Sequence, residues 1–201
     1  MTIDLHDGRC QKGETIMSWI QTYTGKAFYP LSPRAEEIDI VDIAHSLSLL
    51  CRFNGHCRVF YSVAEHSVRV SETLSTEFAL WGLLHDAAEA YVSDLPHPIK
   101  ATANWFQQVE DQLLAMVAQT FDLGWPMPPE VREADNVLLA TEARDLMVPA
   151  PKSWNLPAPP LDTLIEPVSA PQAERMFLER YETLRRPTDR NGRRKAAAPA
   201  A

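Results

Sequence analysis

From about residue 38 onward, apolar residues recur at helical spacing. Ile43, Leu47 and Leu50 share a stripe behind Asp39-Ile40-Val41-Asp42, whose acidic residues suit the positive end of a helix dipole. Ser62-Val63-Ala64-Glu65 has the spacing of a capping box and starts a second helix with His66 in its first turns. Behind Thr76 as a cap, the stretch from Phe78 to Ala90 is apolar on nearly every side and reads as one central helix. It is too long and too rich in Ala and Leu for a strand, and Pro96 and Pro98 end it. Phe106, Val109, Leu113, Met116 and Val117 form the buried side of a helix over 104–120. Gly124, Pro126, Pro128 and Pro129 form a loop, after which Val131, Ala134, Leu138 and Thr141 share a helical spacing that includes Asp135. A proline-rich connector over 149–160 leads to a last helix opened by Ser169, Pro171 and Glu174 and carrying Ala173, Met176, Phe177, Tyr181 and Leu184.

The expected fold is therefore all-α, a single helical bundle over 38–185. Residues 1–37, with scattered Gly, Pro and aromatic residues, form an irregular or short-stranded N-terminal wrap. Residues 186–201 form a flexible tail, with Arg186, Arg190, Arg193, Arg194 and Lys195 beside a terminal Ala-Ala-Ala-Pro-Ala. At 201 residues with 45% hydrophobic content, the chain can bury one sizeable core, and no internal repeat calls for a second domain. A net charge of -8 argues against a stable nucleic-acid partner but leaves room for a small phosphate site. Cys10, Cys51 and Cys57 lack CxxC spacing and read as free or buried thiols of an intracellular protein. No run approaches membrane-spanning length and no signal-like segment is seen, so the expectation is a cytoplasmic protein without a membrane partner.

His85 and Asp86 stand side by side inside Ala79-Leu80-Trp81-Gly82-Leu83-Leu84-His85-Asp86-Ala87-Ala88-Glu89-Ala90. Two adjacent ionisable residues in such a run are costly to bury unless something satisfies them, and a divalent metal would. Adding His66 and Asp135 completes two imidazoles and two carboxylates, a donor set suited to a first-row transition metal. Taken singly, His66 is as well explained as a satisfied core or capping histidine, and Asp135 is equally ambiguous. Three helices would have to converge to bring the four together.

Read in order, Ala64-Glu65-His66-Ser67, His85-Asp86-Ala87-Ala88-Glu89, Asp94-Leu95-Pro96 with Pro98 and Lys100, and Ala134-Asp135-Asn136 resemble the HD-domain metal-dependent phosphohydrolases. The resemblance is greatest to their small bacterial 5'-deoxynucleotidase branch and runs from about Ile38 to Asp145. It implies an α-helical HD-domain bundle in which His66, His85, Asp86 and Asp135 are metal ligands. Relatives with two metals carry further histidines between the His-Asp pair and the last aspartate; only His97 lies there, which favours one divalent ion, Mn, Co, Mg, Ni or Zn. The same resemblance places Glu89 and Asp94 beside substrate phosphate and water, with Asp94 the better candidate to protonate the leaving oxygen. Glu89 could equally be a supporting or surface carboxylate, and Asp94 an ordinary turn residue.

Arg52-Phe53, read as the end of the first helix with Asn54-Gly55 as its stop, matches an arginine-aromatic pair that precedes the first histidine ligand in the resembled nucleotidases. Arg52 would hold phosphate by a paired contact, with Phe53 beside it and Lys100 helping to neutralise charge. His56 and Arg58 are alternative phosphate contacts, and Tyr61 and Trp81 read as packing residues. The expected activity is metal-dependent hydrolysis of (deoxy)nucleoside 5'-monophosphates, a small-molecule nucleotide substrate, to nucleoside and phosphate. The alternatives are a deoxynucleoside triphosphate triphosphohydrolase and a non-catalytic nucleotide-binding protein. A homodimer is in keeping with the resembled branch.

Overall fold

The Asp39 side chain accepts the backbone N–H of Val41 at 3.0 Å, and helix α1 follows over Ile40–Leu49. In the computed structural model, which describes residues 18–185, α1 is preceded by an antiparallel hairpin of β1 (Ile20–Gln21) and β2 (Ala27–Phe28). Helices α2 (Val63–Thr73), α3 (Ala79–Leu84), α4 (Glu89–Val92), α5 (His97–Lys100), α6 (Asn104–Thr120), α7 (Pro129–Leu146) and α8 (Ala170–Arg185) complete the described residues. The fold is an all-α bundle with a short-stranded N-terminal segment. Cys10 and the basic residues from Arg186 onward lie outside the described residues, as does the first part of the expected wrap. No helix among the described residues is long and apolar enough to cross a membrane.

The main core gathers Phe28 with Ile43 and Leu47 of α1, Val68 of α2, Leu83 and Leu84 of α3, Leu113 and Val117 of α6, and Phe177 of α8. Removing each such side chain from water contributes about 1.5–3 kcal/mol. A second cluster joins Tyr61 and Val70 to Ala134, Leu138 and Leu146 of α7. Helix α2 is the hub, packed on α1, α3, α7 and α8, with eight of its residues buried. The apolar run 78–90 is its closest neighbour rather than the centre. Close approach is achieved at Gly82, where a Cβ would stand 3.0 Å from the Ser71 Cα.

Three local expectations need correction. The run 78–90 is not one helix: Ala87 N–H bonds Leu84 O at 3.0 Å, Glu89 bonds Asp86 O at 3.0 Å and Tyr91 bonds Ala88 O at 3.0 Å, all three residues back. The chain thus tightens to 3-10 geometry between α3 and α4, a device frequent where a helix carries function. Thr76 does not cap α3; Phe78 stands at the cap position with no side-chain bond. Nor do Arg52 and Phe53 end α1, which stops at Leu49. Cys51 instead pairs with Ser62 across a β-bridge, and Arg52–Gly55 forms a separate tight turn with Phe53 (φ 54°) and Asn54 (φ 51°) left-handed. For Phe53 that conformation costs about 1–2 kcal/mol.

Candidate metal centre

Ser62 Oγ accepts the Glu65 N–H at 3.1 Å and fixes the start of α2, which places His66 in its first turn with no solvent exposure. The expected capping box is half made, because the Glu65 carboxylate turns instead to Arg69 and to the Val168 N–H at 2.9 Å. His85 closes α3, Asp86 lies in the tightened link, and Asp135 sits in the first half of α7. The packing of α2 against α3 and α7 brings these three segments together.

His66 Nε2 stands 3.3 Å from His85 Nε2 and 3.1 Å from Asp135 Oδ1. Asp86 Oδ2 is 3.3 Å from His85 Nε2 and 3.7 Å from His66 Nε2. Donors that bind one ion at about 2.0–2.2 Å stand roughly 3 to 3.5 Å apart, so these separations suit a shared cation. His66, His85 and Asp135 form a group that could hold a metal ion, their ligand atoms all within 4.8 Å of one another.

Two further observations favour a cation. His66 Nδ1 meets the Glu142 carboxylate at 2.5 Å and His85 Nδ1 meets Gly82 O at 2.8 Å. With Nδ1 the donor in each ring, both Nε2 atoms face the same space, where their lone pairs repel unless a metal or a proton stands between them. Asp86 Oδ2 is buried and makes no hydrogen bond, although His85 Nε2 stands 3.3 Å away, so it keeps lone pairs open to a metal.

Electrostatics follow the same geometry. Burial works against charge on His85, yet the adjacent Asp86 carboxylate prevails and pushes its pKa up to about 9. Against burial, and against the repulsion of Arg52, Glu142 and Asp135 raise His66 as well. Burial would raise Asp86, but His85, His66 and Arg52 hold it far below the usual carboxylate range. Asp135 is likewise lowered by His66 and His85 in spite of its burial.

Arg52 reaches the centre without being free. Its guanidinium donates to Glu142 Oε2 from Nη2 at 3.0 Å, and Nη1 lies 3.7 Å from Asp86 Oδ2. Phe53 is half-buried beneath it, the guanidinium carbon 5.4 Å from the ring centre. Glu89, 9% exposed, has no hydrogen-bond partner among the described residues; burial, then Asp86 and Asp94, raise its pKa well above the ordinary value. Asp94 is exposed and accepts Lys100 Nζ at 2.8 Å, while Glu110 holds the same ammonium at 2.7 Å. A cavity of about 560 Å3 opens on Asp86 and Glu89, with His97, Lys100 and Glu110 on its wall. His56 is exposed and Arg58 is spent on the end of α7, where its guanidinium donates to Asp145 O. Tyr61 and Trp81 are buried packing residues, and Cys51 and Cys57 are free thiols.

The residue missed by pattern alone is Glu142, fully buried between His66 and Arg52. Its signal was available: seven residues after Asp135, it lies two turns along the same face of α7. Glu110, buried and clamping Lys100, carried no comparable cue.

The chain is similar to "Uncharacterized protein YfdR" of Escherichia coli, 40% identical over 172 residues that cover 84% of this chain and 96% of that protein. "Uncharacterized protein RCAP_rcc00048" of Rhodobacter capsulatus is 32% identical over 137 residues, 63% of this chain and 70% of that one. No protein-family model matches.

Proposed function

The chain belongs to the same protein family as YfdR of Escherichia coli, and we propose that it is a metal-dependent phosphomonoester hydrolase of the HD-domain type, acting on (deoxy)nucleoside 5'-monophosphates. The observation that carries this reading is the convergence of two imidazole Nε2 atoms, each backed by an acceptor at Nδ1, on the carboxylates of Asp135 and Asp86. One divalent ion held by His66, His85, Asp86 and Asp135 would act as a Lewis acid toward phosphate and lower the pKa of water.

The chain's own residues supply the rest. Glu142 orients His66 and neutralises Arg52, which leaves the Nη1 face of the guanidinium near Asp86 to meet a phosphate oxygen. Lys100, pinned by Asp94 and Glu110, offers a second cation in the cavity. Glu89, buried and unpaired, holds a proton at the cavity wall or orients water there. The resemblance gives the leaving-group proton to Asp94, whose lysine partner in turn marks it as an anchor for Lys100. Glu89→Gln and Asp94→Asn separate these roles: the acid is the one whose loss hits nucleoside release hardest while metal binding persists.

The deciding experiment strips the protein, reloads it with Mn, Co, Mg, Ni or Zn, and follows phosphate and triphosphate release from matched deoxy- and ribonucleoside mono- and triphosphates. Phosphate from monophosphates, lost in His85→Ala and Asp135→Ala together with metal binding, supports the proposal. Intact triphosphate release makes the protein a triphosphohydrolase. Metal binding without turnover of any nucleotide makes it a non-catalytic binder.

A further inference from the structure

A nucleotide has an aromatic end as well as an anionic one, and the cavity beside Asp86 and Glu89 has no Phe, Tyr or Trp in its wall. An aromatic surface lies instead against Arg52. Arg52, between Glu142 and Asp86, rests over the Phe53 ring, and the Trp154 ring lies against Phe53 with centroids 6.0 Å apart and planes inclined by 53°. We propose that Trp154, together with Phe53, is the surface on which the nucleobase of the substrate stacks, which makes Trp154 a specificity-determining residue. This rests on the nucleotide reading above and adds the part of the site that would select a base-bearing substrate.

The order of groups matches the ligand. The metal-ligand cluster and the Arg52 guanidinium are the phosphate contacts, and the aromatic pair adjoins that guanidinium, as the base end of a nucleoside monophosphate follows its phosphate through the sugar. The backbone around both rings is committed to their presentation. Phe53 and Asn54 are consecutively left-handed, yet Phe53 is only half-buried, so core packing does not account for the strained turn. Its effect is to lay the ring beneath Arg52. Trp154 is 41% exposed in a connector without regular structure, so its ring face is open to a ligand. Its position is built locally: Ser153 Oγ accepts the Asn155 N–H at 3.1 Å, and Asn155 is itself left-handed at φ 50°.

A cavity of about 390 Å3 is lined by Trp154 and Asn155 together with Ala140, Arg144 and Met147. Ala140 and Arg144 belong to α7, the helix that also carries Asp135 and Glu142, so the cavity beside Trp154 borders the helix of the ligand cluster. Aromatic rings accept any base by its face, so the surface selects for the presence of a base more than for its identity.

The test compares Trp154→Leu and Trp154→Phe with wild type on 2'-deoxynucleoside 5'-monophosphates of each base and on 2-deoxyribose 5-phosphate, which keeps the phosphate and sugar but lacks the base. The expected result is that Trp154→Leu lowers the kcat/KM ratio of nucleotide to sugar phosphate by about tenfold, mainly through KM, and that Trp154→Phe restores most of it. A ratio within twofold of wild type in a Trp154→Leu protein of unchanged helicity overturns the proposal. A second measurement works without turnover: 2'-deoxyadenosine should quench tryptophan fluorescence in wild type, and Trp154→Phe should lose that quench. If no nucleotide is hydrolysed, the phosphohydrolase reading fails, and the quench decides the stacking surface separately; no saturable quench in wild type overturns it.

Discussion

Replacing Glu142 by Gln is the sharpest probe of the metal centre, because it changes one atom of a fully buried side chain and leaves its volume intact. Glu142 Oε1 faces His66 Nδ1 at 2.5 Å, and Oε2 takes Arg52 Nη2 at 3.0 Å and Nε at 3.3 Å. Both oxygens therefore face donors. Burial alone would raise the carboxyl pKa, but Arg52 and His66 hold it below the ordinary value, so the group works as an anion. A glutamine offers only one oxygen. With its NH2 toward His66, the imidazole must either lose its partner or move its proton to Nε2 and cease to be a ligand. With the NH2 toward Arg52, a half-buried guanidinium loses the charge that neutralises it.

Loss of the His66 bond or of the charge on Arg52 leaves a polar group uncompensated, worth about 1–3 kcal/mol of stability, whereas the tautomer shift keeps the bonds and removes the ligand. Loss of the carboxylate behind a histidine ligand typically weakens metal binding about 10- to 100-fold. Calorimetric titration of Mn or Co into chelator-stripped protein, paired with urea unfolding, reads both. We expect the metal Kd of Glu142→Gln to rise by that factor and its unfolding free energy to fall by that amount, with helicity unchanged. A Kd within twofold of wild type would refute the role of Glu142 in orienting His66.

Other outcomes follow from the same geometry. In metal-free protein, His85 is raised to about 9 from an ordinary value near 6.5, so its stabilising contribution is complete below about pH 6.5 and is lost as pH rises through about 9. Urea midpoints of the stripped protein should therefore fall over that window, and metal affinity should rise about tenfold per pH unit between 7 and 8, because binding displaces the His85 proton; a flat affinity profile contradicts this. Gly82→Ala would place a methyl 2.5 Å from Leu74 Cδ1 and 3.0 Å from the Ser71 Cα, so α2 and α3 must separate. The expected loss is about 1–3 kcal/mol by urea unfolding, with weaker metal binding because α2 and α3 carry His66 and His85. Ser62→Ala removes the bond to the Glu65 N–H and should cost about 1 kcal/mol in the same assay.

Much of this protein was legible because its signals are local. The Asp39 cap, the stripe of Ile43 and Leu47, the 104–120 helix and the register of Val131, Ala134 and Leu138 each depend on neighbours within a few turns, and the helix forms wherever such a stripe can be buried. Three of the four proposed ligands could be placed on core-facing helix positions for the same reason. The failures share the opposite cause. Periodicity fixes which face of a helix is buried but not what it is buried against, so α2 as hub and the tightening at 85–88 were invisible in the pattern.

What the sequence determined by itself was the class of fold and the presence of an ionisable pair, His85-Asp86, where an apolar run should have been uninterrupted. The tertiary structure alone decided what those residues meet. Asp135 and Glu142 lie on the same helix face, yet their oxygens reach His66 only because α7 packs on α2. Arg52 became a partner of Glu142, 90 residues away, and Trp154 came to rest against Phe53. Contacts between residues so far apart in the chain depend on how helices cross, and that is set by the summed packing of every side chain between them rather than by any local spacing.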